Sequence, residues 1–244
     1  MNTKTGASHC PPRSILVGVD FGDASARALA LAGVMASGFK TRLRVIHAER
    51  FDPPAYFTVD QIAQLEAERR ETQAAATEHL AQVAIGAAGY PAEAVVVDAP
   101  SVEAILSESA SADLIVLGTH GRRGPGRWWL GSVAERVVRA ATVPVLVTRA
   151  ASATPVAVFE RLALVQDGSD ADGDARRCAE ALATLANGTI TVAGPLDVCD
   201  AAALKQASLV VMATPRDRAS WAFADAVGTV LGACDRPVLF IRPL

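Results

Sequence analysis

The chain has 244 residues, half of them hydrophobic, with a formal net charge of −3 and a pI near 5.8. That length suits two modest domains with a sizeable core, and the acidic balance argues against general nucleic-acid binding. No apolar run approaches the ~20 residues of a membrane span, and the start "MNTKTGASHCPPR" lacks the apolar centre of a signal peptide, so a soluble, cytoplasmic protein is expected. Cys10, Cys178, Cys199 and Cys234 are scattered without metal spacing and read as reduced, mostly buried thiols.

In chain order, "SILVGVD" (Ser14 to Asp20) is a continuous apolar run, which suits a strand covered on both faces, and it ends in the turn "FGDAS". An Ala/Leu-rich helix follows from about Ala24 to Ser37. "RLRVIHA" around Val45 reads as a second strand, and "ERFDPPAYF" as a proline-broken excursion. Thr58 with Gln61 resembles a capping box opening a long helix to about Ala84. "EAVVVDA" is a third strand, "SVEAILSESAS" a short helix opened by Ser101, and "DLIVLGT" a fourth strand. The stretch Gly118 to Ser132, "GTHGRRGPGRWWLGS", then places five glycines and three arginines before a helix from about Val133; "VPVLVTR" is a fifth strand. Strands alternating with helices predict an α/β fold, a doubly wound parallel sheet whose ligand site lies at the carboxyl ends of the strands, where Asp20 and Gly118 fall.

After the small-residue stretch Ala150 to Pro155 the pattern restarts. "LALVQDGSD" echoes "ILVGVDFGD", "SLVVMAT" echoes "DLIVLGT", and "RPVLFIR" echoes "VPVLVTR". One shift lays Trp128 on Trp221, and Val133, Val137 and Val138 on Ala226, Val230 and Leu231. The expectation is a duplication, with domains over 13–150 and 156–244 and a shorter second copy that lacks one strand–helix unit. Whether "TITVAGP" stands for strand two or strand three is left open by the sequence. "DGSDADGD" fails the EF-hand pattern at Ala175 and Ala181, and is better read as acidic residues at a helix start.

Gly118, Gly121, Gly131 and Ser132, spaced as G-x2-G-x9-G-[ST] and followed by a helix and "VPVLVTR", together with Asp20, resemble the universal stress protein family. The resemblance covers about Arg13 to Arg149 well and Glu160 to Leu244 in degraded form. It implies a Rossmann-like sandwich of five parallel strands that in one branch binds ATP, with Asp20 at the adenosine end, the backbone beside Ala48 at the base, and Gly118, Gly121, Gly131 and Ser132 at the phosphates. It also implies that the terminal strands of the two copies pair antiparallel, making an intramolecular pseudo-dimer; a homodimer of the chain is a further possibility. Physical chemistry supports the same residues: Gly118 and Gly121 admit main-chain N–H groups to an anion, and Gly131 and Ser132 begin a helix, running from about Val133, whose free N–H groups attract phosphate; Val133 is counted with the binding residues. Arg122, Arg123 and Arg127 add charge that a flexible loop can fold over the ligand.

Plainer readings stand beside these. Ser132 with Glu135 also forms a capping box, Asp20 is a common turn former, and Trp128 and Trp221 suit packing anchors. His47 and His120 face the predicted site without a nucleophile or metal partner. The function expected is an adenine-nucleotide-binding stress sensor or regulator taking ATP, alone or with Mg2+, and not nucleic acid or membrane. The alternatives are a nucleotide-free interaction module and a slow ATP hydrolase or adenylyl transferase. No general base or nucleophile activator stands out for the last. The degenerate second copy, with Ala213 for Gly118 and Arg216 for Gly121, predicts one nucleotide per chain.

Overall fold

A computed structural model describes residues 9–50, 58–119, 123–124, 127–128, 131–149, 154–166, 172–193, 201–214 and 236–241. The first part of the chain runs β1 (Ser14–Gly18), α1 (Asp23–Phe39), β2 (Arg42–Ala48), α2 (Val59–Ala88), β3 (Glu93–Val97), α3 (Ser101–Glu108), β4 (Leu114–Thr119), a two-stranded ribbon of β5 (Arg123–Gly124) and β6 (Arg127–Trp128), α4 (Ser132–Ala140) and β7 (Val145–Arg149). The second runs β8 (Arg161–Val165), α5 (Asp172–Ala183), β9 (Thr189–Ala193), α6 (Ala201–Gln206), β10 (Leu209–Ala213) and β11 (Val238–Ile241). Each strand and helix expected in the described residues is present, and the long helix starts where Thr58 accepts the first turn's bond from Ile62 N–H, at 3.0 Å.

The described strands of the main sheet follow the order β3-β2-β1-β4-β7-β11-β10-β8-β9. All neighbours are parallel except β7 and β11, which pair antiparallel with Val147 opposite Val238 and Val145 opposite Phe240. The expected pairing of "VPVLVTR" with "RPVLFIR" is therefore the central seam, and it leaves neither apolar strand as an open edge. Outward from the seam the order is β7-β4-β1-β2-β3 on one side and β11-β10-β8-β9 on the other. β9 lies beside β8 as β2 lies beside β1. "TITVAGP" thus takes the place of strand two, and among the described residues the second side has no counterpart of α2 and β3.

Successive side chains of a strand point to opposite faces, so each strand feeds two cores. Ile15 and Val17 join α1, α2 and α5 on one face, whereas Leu16, Ile115 and Val147 join α3, α4 and α6 on the other. Both cores cross the seam, since Leu146 and Leu239 share the first, and Val145 and Phe240 the second. Asp172 and Asp174 lie in the first turn of α5, as expected of acidic residues there, and Asp174 pairs with Arg177.

One expectation is overturned. Cys10 and Cys178 are joined in a disulfide rather than held as separate thiols. The residues before β1 cross to α5 on the other side of the seam, a long-range approach that cysteine spacing does not reveal. Cys199 and Cys234 lie outside the described residues. No helix among the described residues is long and apolar enough to cross a membrane.

Candidate functional site

Strands β1, β2, β3, β8 and β9 are each followed by a helix, and β4 by α4 after the ribbon, so helix N-termini gather along one edge of the sheet. Between β1 and β4 on one side and α3 and α4 on the other lies a cleft with about 570 Å³ of empty space, including its open mouth. Its lining includes Asp20, His47, Ala48, Ser101, Gly118 and Val133.

Asp20 stands exposed just beyond β1, and its Oδ1 accepts the Gly22 N–H at 3.0 Å, which holds the turn into α1. The turn-forming role and a place on the cleft therefore belong to the same carboxylate. Ala48 is the last residue of β2, in register with Val97 of β3, and its main chain borders the cleft.

Gly118 lies in β4 with less freedom than its place in a phosphate motif implies. A Cβ there would meet the Ala24 carbonyl oxygen at 2.2 Å and the Ser25 nitrogen at 2.7 Å. The glycine is therefore needed for α1 to pack on β4, besides bordering the cleft. Gly131 is different. Among the described residues a Cβ there would meet the Thr119 hydroxyl alone, at 3.2 Å, and the Gly131 N–H donates to that hydroxyl at 3.1 Å.

The helix after it settles the capping question. Gly131 occupies the N-cap of α4 and makes no side-chain cap bond; Ser132 is the first helical residue, exposed, so the expected Ser132–Glu135 box does not form. Glu135 instead accepts from Arg139 one turn on, at 3.1 Å. The first intrahelical bond runs from Glu135 N–H to the Gly131 carbonyl at 2.9 Å, which leaves the N–H groups of Ser132, Val133 and Ala134 at an open helix start. Val133 and Ala134 border the cleft.

Arg127 lies in the β5–β6 ribbon, where Gly124 faces Arg127 and Arg123 faces Trp128. Four residues of the stretch between β4 and α4 are thus paired in a short ribbon. Gly121, Arg122 and His120 lie outside the described residues, as do Arg216, Trp221, Ala224 and Asp225 of the second side.

The cleft residues Ser25 and Ser101 escaped the sequence reading of the site, as did Phe21 near His47. Ser25 lies in the first turn of α1 with its hydroxyl donating to the Gly22 carbonyl at 2.9 Å, and Ser101 opens α3 behind an N-cap at Pro100. Phe21, beside Asp20, adopts a left-handed φ of 59° and is 47% exposed, and its ring centroid lies 4.7 Å from that of His47. His47 Nδ1 lies 2.8 Å from the Val19 carbonyl, which only accepts; that nitrogen therefore carries a proton, and in the neutral ring Nε2 is an acceptor. Phe21, like Lys40 and Asn187, has a left-handed φ that its residue type does not announce in the sequence.

The universal stress protein family profile matches residues 12–149, more than half of the chain. The chain belongs to the universal stress protein family. A family member of Thermus aquaticus is 34% identical over 140 residues, 56% of this chain and 98% of that protein. One of Mycobacterium tuberculosis is 34% identical over 145 residues, 58% of this chain but 46% of its own length, so the match spans about half of that relative. Among solved structures, a universal stress protein from Archaeoglobus fulgidus aligns over 94% of this chain and 98% of its own with a TM-score of 0.68 at 17% identity, a likeness of fold.

Proposed function

We propose that residues 13–150 form an adenine-nucleotide-binding domain that takes ATP in the cleft between β1, β4 and α4, and that 156–244 form a shorter domain of the same ancestry without a full site. The observation that supports this most is the convergence of Asp20, Ala48, Gly118 and Val133 on one cleft, beside the unencumbered backbone of Gly131. The residues fit such a ligand. Asp20 accepts hydrogen bonds suited to a ribose, the main chain at Ala48 suits the base edge, and the open N–H groups of Ser132 to Ala134 suit phosphate oxygens. The Ser132 hydroxyl, Arg127 of the ribbon and Arg122 would add donors to the phosphate chain, with Mg2+ as the nucleotide's counter-ion.

When a phosphate enters, the Gly131 N–H exchanges its Thr119 hydroxyl partner for an anion, a stronger acceptor. The function is then that of a sensor or regulator in the cytoplasm whose conformation follows nucleotide occupancy. Calorimetric titration of the nucleotide-free chain with ATP, ADP, AMP and cyclic AMP tests it. ATP should bind at one site and lose affinity in Asp20→Ala; absence of binding by all four returns the chain to the class of nucleotide-free interaction modules.

A further inference from the structure

We propose that Cys10–Cys178 is a reversible thiol–disulfide exchange site for small anionic thiols of the glutathione class, acting as a covalent clamp across the β7–β11 seam. The two cysteines come from opposite sides of that seam. Cys10 precedes β1, and Cys178 lies on the buried face of α5. Their Cα atoms are 5.0 Å apart, inside the ~4.4–6.8 Å range of protein disulfides. The bond therefore closes where the fold already brings the chains together.

The surroundings of the two sulfurs are unequal, and the inequality orders the chemistry. Cys178 is fully buried in the core, whereas Cys10 is partly exposed. Cys10 opens on a surface cleft whose lining includes His9, Arg13, Lys40 and Thr41. His9, Arg13 and Lys40 are exposed there. Thr41 Oγ1 is buried with no hydrogen-bond partner among the described residues. Cationic side chains beside an unused hydroxyl suit a small peptide thiol carrying carboxylates. Cys10 is then the sulfur that meets the incoming disulfide, and Cys178 the one that resolves it.

In the closing direction the Cys10 thiolate attacks one sulfur of the small disulfide, whose S–S bond breaks; one small thiolate leaves and takes a proton from water. The Cys178 thiol, giving up its proton, attacks the Cys10 sulfur of the mixed disulfide and displaces the second small thiolate, which is protonated in turn. Two protein thiols lose two electrons and two protons, and one small disulfide becomes two thiols. The closed bond joins residues 168 positions apart, so it encloses β1 to α5, including the whole candidate nucleotide site, in one covalent ring. Restricting so long a loop removes much of the unfolded chain's freedom.

The test equilibrates the full chain in reduced and oxidised glutathione at graded ratios, quenches with an alkylating agent, and maps the modified cysteines by mass spectrometry. The Cys10–Cys178 bond should open at the reducing end and close at the oxidising end, and in a time course a glutathione adduct on Cys10 should precede the cross-link. In Cys178→Ala the adduct should accumulate on Cys10; in Cys10→Ser, Cys178 should stay unmodified. Closing should raise Tm on the order of 10 °C, a shift lost in Cys10→Ser. A bond that stays closed at the reducing end, thiols that stay free at the oxidising end, a first adduct on Cys178, or a cross-link through Cys199 or Cys234 would each overturn the proposal. Nucleotide affinity is not used as a readout, so the outcome is independent of the ATP reading.

Discussion

Gly118 and Gly131 belong to one spacing motif and do different jobs. At Gly118 a methyl group collides with main-chain atoms of α1, which cannot move like a flexible side-chain end. Gly118→Ala should cost about 1–3 kcal/mol, the usual range for overpacking, and lower the melting temperature without ligand. At Gly131 the described residues leave the space open except for the Thr119 hydroxyl, so Gly131→Glu should leave apo melting nearly unchanged while its carboxylate takes the place of the phosphates. Undiminished ATP affinity in Gly131→Glu would remove the phosphate role of the α4 start. Asp20 does both kinds of work: Asp20→Ala loses the bond to Gly22 N–H, worth about 1 kcal/mol, as well as nucleotide affinity. Residue spacing could mark these positions, but it could not separate packing from ligand contact. The distinction at Gly118 depends on how closely α1 lies over β4.

At the scale of elements, the continuous apolar runs "SILVG" and "LIVLGT" were legible as strands because a parallel sheet covered on both faces needs such runs. The seam was legible too, since β7 and β11 are equivalent apolar strands that each need a partner. Phe240, fully buried opposite Val145, anchors the seam from the β11 side. Phe240→Ala should therefore cost about 3–5 kcal/mol, and denaturant unfolding measures it; a loss below about 1 kcal/mol would mean that the seam contributes little to the fold. Elements that depend on few residues were not legible. The β5–β6 ribbon has two residues in each strand, and the Pro–Gly pair between them signals a turn but not the pairing beside it. The N-cap at Gly131 rather than Ser132 is a displacement of one residue, decided by the bond from Gly131 N–H to Thr119. The disulfide is a contact between distant segments, and local pattern carries no record of it.

At the scale of the whole molecule, the described strands on the two sides of the nine-stranded sheet follow the same order outward from the seam. The first side has Gly118 in β4, pressed against the start of α1, where the second has Ala213 at the end of β10. The smaller side, lacking a counterpart of α2 and β3 among the described residues, supplies β11 to the seam and Cys178 to the disulfide. The nucleotide is expected on the first side alone. The central claim is one ATP per chain, held by the cleft at Asp20 and the start of α4. Isothermal titration of the nucleotide-free full chain with ATP measures it most directly: the account predicts a single site with a stoichiometry near one, abolished by Gly131→Glu, whereas two equivalent sites, or one site that survives Gly131→Glu unchanged, would contradict it.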